Sequence, residues 1–107
     1  MQNAVKFSES GRILTARLSG EIDHHVAKGQ REEIDNMLFR ARPETLRLDF
    51  SEVRFMDSSG IGLIRGRADV CEGIGCRIEV TGLSGSLKKL VRLSGIEKIK
   101  CLTVANG

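Results

Sequence analysis

Apolar residues in this chain recur first at every second position, then at every third or fourth, and the two spacings alternate along its length. A period of two suits a strand with one covered face, and a period near 3.6 suits a helix with one apolar stripe. Val5 and Phe7 alternate with Lys6 and Ser8, and Glu9-Ser10-Gly11 reads as a hairpin turn. Arg12 to Leu18 is a second strand, with Leu14, Ala16 and Leu18 on one face and Ile13, Thr15 and Arg17 on the other. Gly20 to Asp23 leaves that strand, and Asp23 suits the N-cap of a helix beginning at His24. One side of that helix carries Val26 or Ala27, Ile34, Met37, Leu38 and Ala41. The other carries Lys28, Arg31, Glu32 and Asp35, and Pro43 closes the segment.

The alternation then repeats. Leu46, Leu48 and Phe50 predict a third strand, and Ile61, Ile64, Ala68 and Cys71 a second helix, broken at Gly73-Ile74-Gly75. Cys76, Ile78 and Val80 predict a fourth strand. Leu87, Leu90 and Val91 predict a third helix, ended by Gly95. Ile99, Cys101 and Thr103 suggest a final strand. The order β-β-α-β-α-β-α-β implies an α/β fold with right-handed crossovers. Its small sheet is mainly parallel, with one antiparallel strand at the N-terminal hairpin and helices packed against it. With 107 residues and no linker or repeat, residues 1–107 are expected to form one domain.

Composition narrows the reading further. With four Phe and neither Tyr nor Trp, the core must be aliphatic. The three cysteines, Cys71, Cys76 and Cys101, form no CxxC pair and sit at apolar positions. They therefore read as core residues rather than a disulfide framework or metal site. No apolar run approaches the ~18 residues of a membrane span, and the start of the chain has no signal-peptide centre, so a cytoplasmic location is expected. The net charge of +3 is partly local, with Lys88, Lys89, Arg92, Lys98 and Lys100 against Glu97. No aromatics interleave with these cations, so they read as a solvated face rather than a nucleic-acid patch.

Two strand-to-helix turns carry concentrated polar residues, Gly20 to His25 and Asp57 to Gly62. If their strands are neighbours, both turns share one rim at the carboxyl ends of the sheet, where such folds place function. In "FMDSSGIG", Asp57, Ser58 and Ser59 precede Gly60 and Gly62, more polar groups than a simple cap requires. A hydrolase would use a serine nucleophile with His24 or His25 as base and Asp57 or Asp23 as orienting acid, but the GxSxG elbow is missing. Phosphate binding lacks a GxxxxGK[ST] loop. A third use is acceptance of a phosphate. That group adds about −1.5 to −2 charge, which a helix N-terminus tolerates and a partner packed against Asp57, Asp23 or Glu21 does not.

"SGEIDHH" (19–25), "FMDSSGIG" (55–62) and "RLSGIEKI" (92–99) together resemble the bacterial anti-sigma factor antagonists, the STAS domains, and most narrowly the sporulation sigma-F type. The resemblance implies a non-enzymatic phosphoprotein that works by partner switching in transcription regulation and holds no cofactor or metal. It implies Ser58 as the phosphorylation site. The partner is an anti-sigma factor that is a serine/threonine-protein kinase supplying its own ATP, and a serine phosphatase resets the cycle. Neither nucleic acid nor membrane is an expected partner. Ser59 is then a cap or packing residue, and Asp57, Gly60 and Gly62 shape the surroundings of the acceptor. Glu21, Asp23 and His24 join the partner-binding rim. The alternatives are a STAS module of another partner-switching or stress-response complex, and a small serine hydrolase.

Overall fold

The computed structural model describes residues 5–105. Strand β1 (Lys6–Ser10) reverses into β2 (Ile13–Ile22) and pairs with it antiparallel. The turn is Gly11-Arg12, not Glu9-Ser10-Gly11, because Ser10 still pairs with Ile13 and only Gly11, at φ +63, turns the chain. Helix α1 (His24–Ala41) then crosses to β3 (Thr45–Met56), α2 (Ser58–Gly73) to β4 (Arg77–Thr81), and α3 (Gly85–Ser94) to β5 (Leu102–Val104). The five strands lie in the order β1-β2-β3-β4-β5, and every pair after the first is parallel. Because this order never reverses, right-handed crossovers bring all three helices to one face of the sheet.

Burial follows from that arrangement. Leu14, Ala16, Leu18, Leu46, Leu48, Phe50, Ile78 and Val80 face the helices and are closed to solvent. Ile34 and Leu38 of α1, Ile64 and Ala68 of α2, and Val91 of α3 cover them. Each fully buried aliphatic side chain contributes about 1.5–3 kcal/mol. This burial, rather than intrinsic helix propensity, holds α2 in place despite its four glycines. Cys71 and Cys76 are buried and Cys101 half-buried, all as free thiols, as their apolar positions predict.

The opposite face of the sheet is polar. Arg17 pairs with Asp49 at 3.2 Å and Arg47 with Glu79 at 2.7 Å. Burial alone would raise the Asp49 carboxyl, but hydrogen bonds from the Ser51 backbone and side chain and from Arg17 outweigh it and hold the pKa below its ordinary value. A lowered folded pKa contributes stability above the unfolded value near 3.9, and that contribution disappears as pH falls through the folded value. Urea midpoints measured from about pH 5 to pH 2 should therefore fall less steeply for Asp49→Asn than for the parent chain.

Three further expectations need correction. Strands β2 and β3 run past Leu18 and Phe50 to Ile22 and Met56. Register shifts between Arg17 and Ser19 and between Gly20 and Glu21 break the period of two there, so the extension leaves no alternating pattern. Strand β5 begins at Leu102, not Ile99, because a 3-10 turn (Ile96–Lys98) occupies the preceding segment and Leu102 is the buried residue. Asp35, expected on the wet side of α1, instead meets Arg67 of α2 at 2.7 Å. Arg67 is 5% exposed. The contact is close, but its angle falls short of a well-formed hydrogen bond. Burial lowers the Arg67 pKa and the Asp35 charge opposes that shift. Breaking such a buried pair typically costs about 3–5 kcal/mol, so it helps fix α2 against α1.

Candidate functional site

The carboxyl ends of β2 and β3 are neighbours, with Ile22 paired to Met56 and the Asp57 N–H donating to the Ile22 carbonyl at 3.2 Å. The chain therefore leaves both strands side by side and enters α1 and α2 along one rim. Two aspartates make those entries alike. Asp23 Oδ1 accepts from the Val26 N–H at 2.9 Å, and Asp57 Oδ1 accepts from the Ser59 N–H at 2.8 Å. Each is an N-cap in extended conformation, and each satisfies a donor that the helix start would otherwise leave open. The positive ends of two helix dipoles thus lie on one edge of the domain.

Asp57 is the cap of α2, which corrects the expectation that Ser59 could be. The Ser59 N–H is the group being capped. Ser58, the first residue of α2, is exposed, and Ser59 is half-buried. Gly60 is buried, and a Cβ there would lie 2.5 Å from Met56 Sδ. The space that Gly60 opens is filled by the chain's own methionine, not left for a partner. Gly62 is exposed, with no atom within 4 Å of a built Cβ, and so leaves the surface of α2 open.

The rim joins residues far apart in the sequence. His24, Ala27, Lys28 and Arg31 of α1 and Ser59, Gly62 and Leu63 of α2 line a cleft of about 340 Å³. Glu21 is exposed and pairs in register with Phe55, whose ring is 54% exposed. Phe55, Lys28 and Arg31 were not singled out from the sequence. A signal for Phe55 existed: in a sheet covered on one face, a strand can bury only one of two consecutive apolar residues, and Met56 at 3% exposure is the buried one. At the far end, Lys89 and Arg92 are exposed and Lys88 half-buried on α3, opposite the buried Leu87 and Val91, in keeping with a solvated face.

The model of the STAS domain matches residues 4–106 of this sequence. The chain belongs to the STAS-domain family. Among relatives in that family, it is 36% identical over 87 residues to an anti-sigma F factor antagonist of Paenibacillus polymyxa, covering 81% of this chain and 74% of that protein. Its fold is similar to that of the anti-sigma factor antagonist SpoIIAA in its unphosphorylated form, with a TM-score of 0.79 at 29% identity over 95% of this chain and 88% of that one. The Bacillus cell fate determinant SpoIIAA in the phosphorylated form also matches, with a TM-score of 0.71 at 28% identity over 95% and 91%. STAS antagonists are regulators rather than enzymes.

Proposed function

We propose that this chain is an anti-anti-sigma factor controlled by phosphorylation of Ser58. In its unmodified form it binds an anti-sigma factor of the sigma-F type and so frees the sigma factor. That anti-sigma factor is a serine kinase and supplies the ATP. Phosphate on Ser58 ends the binding, and a serine phosphatase restores the competent form. Glu21, Asp23, His24, Asp57, Ser59 and Gly62 surround the acceptor as the docking rim, with Gly60 setting the height of the first helical turn.

The observation that carries this reading is the division of labour at the start of α2. Asp57 performs the capping, so the exposed Ser58 side chain is left to face a partner. A phosphate there sits at a helix N-terminus, where the dipole offsets part of its charge within the domain. The relatives support the same picture, since SpoIIAA matches this fold in both its unphosphorylated and phosphorylated forms. Phe55 adds an exposed aromatic three residues before the serine, the kind of side chain that anchors protein interfaces.

Incubation with the cognate anti-sigma kinase and ATP, followed by peptide-level mass mapping, tests the assignment. One phosphate is expected, on the peptide containing Ser58 and on that hydroxyl. Modification on Ser59 alone, or no modification by a folded kinase shown to bind ATP, would overturn it.

A further inference from the structure

We propose that Cys71 and Cys76 form a reversible disulfide that fastens the end of α2 to the start of β4. This site lies at the opposite end of α2 from Ser58, with Cys71 about 20 Å along the helix axis. The helix ends there in a well-formed stop. The Gly75 N–H donates to the Glu72 carbonyl at 3.4 Å, and the Cys76 N–H donates to the Cys71 carbonyl at 2.8 Å. Gly75 lies between them at φ +73. This is the Schellman pairing, which usually brings an apolar side chain after the turn against one in the last helical turn. In this chain both of those positions are cysteines, both buried, and the Cys76 thiol donates to the Arg77 carbonyl at 3.2 Å.

A backbone hydrogen bond of 2.8 Å between the two residues brings their Cα atoms within the ~4.4–6.8 Å that a disulfide requires. The bond would therefore close with little backbone movement. The oxidant is a small-molecule disulfide. The Cys76 thiolate attacks one of its sulfurs and releases one small thiolate. The Cys71 thiolate then attacks Cys76 Sγ and releases the second. Two protein thiols are oxidised, one reagent disulfide is reduced to two thiols, and the two cysteine protons end on them. Burial pushes both thiols above their ordinary pKa, so the reaction is slow near neutrality and faster as pH rises. Cys101 is half-buried, and its thiol donates to the Ala68 carbonyl at 3.5 Å.

The test uses the unaltered chain in a glutathione buffer containing both redox forms, with alkylation of free thiols, trypsin digestion and mass mapping. Cys71 and Cys76 share the tryptic peptide 68–77, so a disulfide between them makes that peptide lighter by two hydrogens and leaves it unalkylated. That result is expected, with Cys101 recovered as an alkylated thiol or a glutathione adduct and with the far-ultraviolet circular dichroism unchanged. Oxidation should quicken by roughly 25- to 30-fold between about pH 7 and pH 8.5, because thiolate rises about tenfold per pH unit below the thiol pKa. Three alkylated cysteines after prolonged oxidation, a link to Cys101 in place of the 71–76 bond, or a bond that forms only in denaturant would each overturn the proposal.

Discussion

A Ser58→Asp chain is expected to bind the anti-sigma kinase about tenfold more weakly than the parent, while Ser58→Ala keeps the parent affinity and takes no phosphate. The difference follows from charge at one position. Removing the hydroxyl leaves a smaller neutral group at an exposed site, and the cap is unaffected because Asp57 makes it. Adding a carboxylate places a charge on a rim that already carries Glu21, Asp23 and Asp57. Closing a partner over that rim removes water from the new charge. Like charges brought together in an interface cost several kcal/mol when fully buried, and the tenfold estimate allows for a partly wet rim. Calorimetric titration of both variants against the kinase checks this. Equal affinities for Ser58→Asp and the parent would count against a docking surface at Ser58.

The largest effect on stability is expected at Gly82, just after β4. Its φ of +75 lies in the left-handed region, and a Cβ built there would sit 2.6 Å from the Ser51 N and 2.8 Å from Asp49 Oδ1. The nearest of these is backbone of the neighbouring strand, which cannot swing aside. Strain of about 1 kcal/mol from the backbone and about 1–3 from overpacking should make Gly82→Ala roughly 3 kcal/mol less stable, lowering Tm by roughly 15 °C. Gly29→Ala is the matched control. Gly29 lies within α1 with open space around it, and alanine there should stabilise by up to about 1 kcal/mol. Thermal unfolding of the two variants would expose an error if Gly82→Ala melted with the parent.

Much of this was legible from residues alone, for identifiable reasons. The Asp23 cap was readable because a capping side chain acts within three residues of itself. Gly95 was readable as a helix stop because the left-handed cap at φ +79 suits glycine. The parallel order was readable because each crossover helix has its own periodic stripe. The extensions of β2 and β3 were not, since bulges desynchronise burial from sequence spacing, and Val53 and Met56 lie three apart rather than two. Nor was the Asp35–Arg67 pair, which joins two helices across 32 positions and leaves no local pattern. The cleft was hidden for the same reason: Lys28 and Arg31 look like ordinary wet-face residues until α2 is laid beside them. The carboxyl-end rim was anticipated as a place, but its exposed ring was not, because Phe55 beside Met56 reads as an apolar pair.

The central claim is that phosphate on Ser58 blocks docking while the domain keeps its fold. The direct measurement compares chain phosphorylated once at Ser58 with unmodified chain, by calorimetric affinity for the anti-sigma kinase and by thermal melting of the antagonist alone. The account predicts affinity lower by about a hundredfold, with a melting temperature within a few degrees of the unmodified chain. Undiminished affinity, or a loss of affinity that accompanies unfolding of the phosphorylated domain, would contradict it.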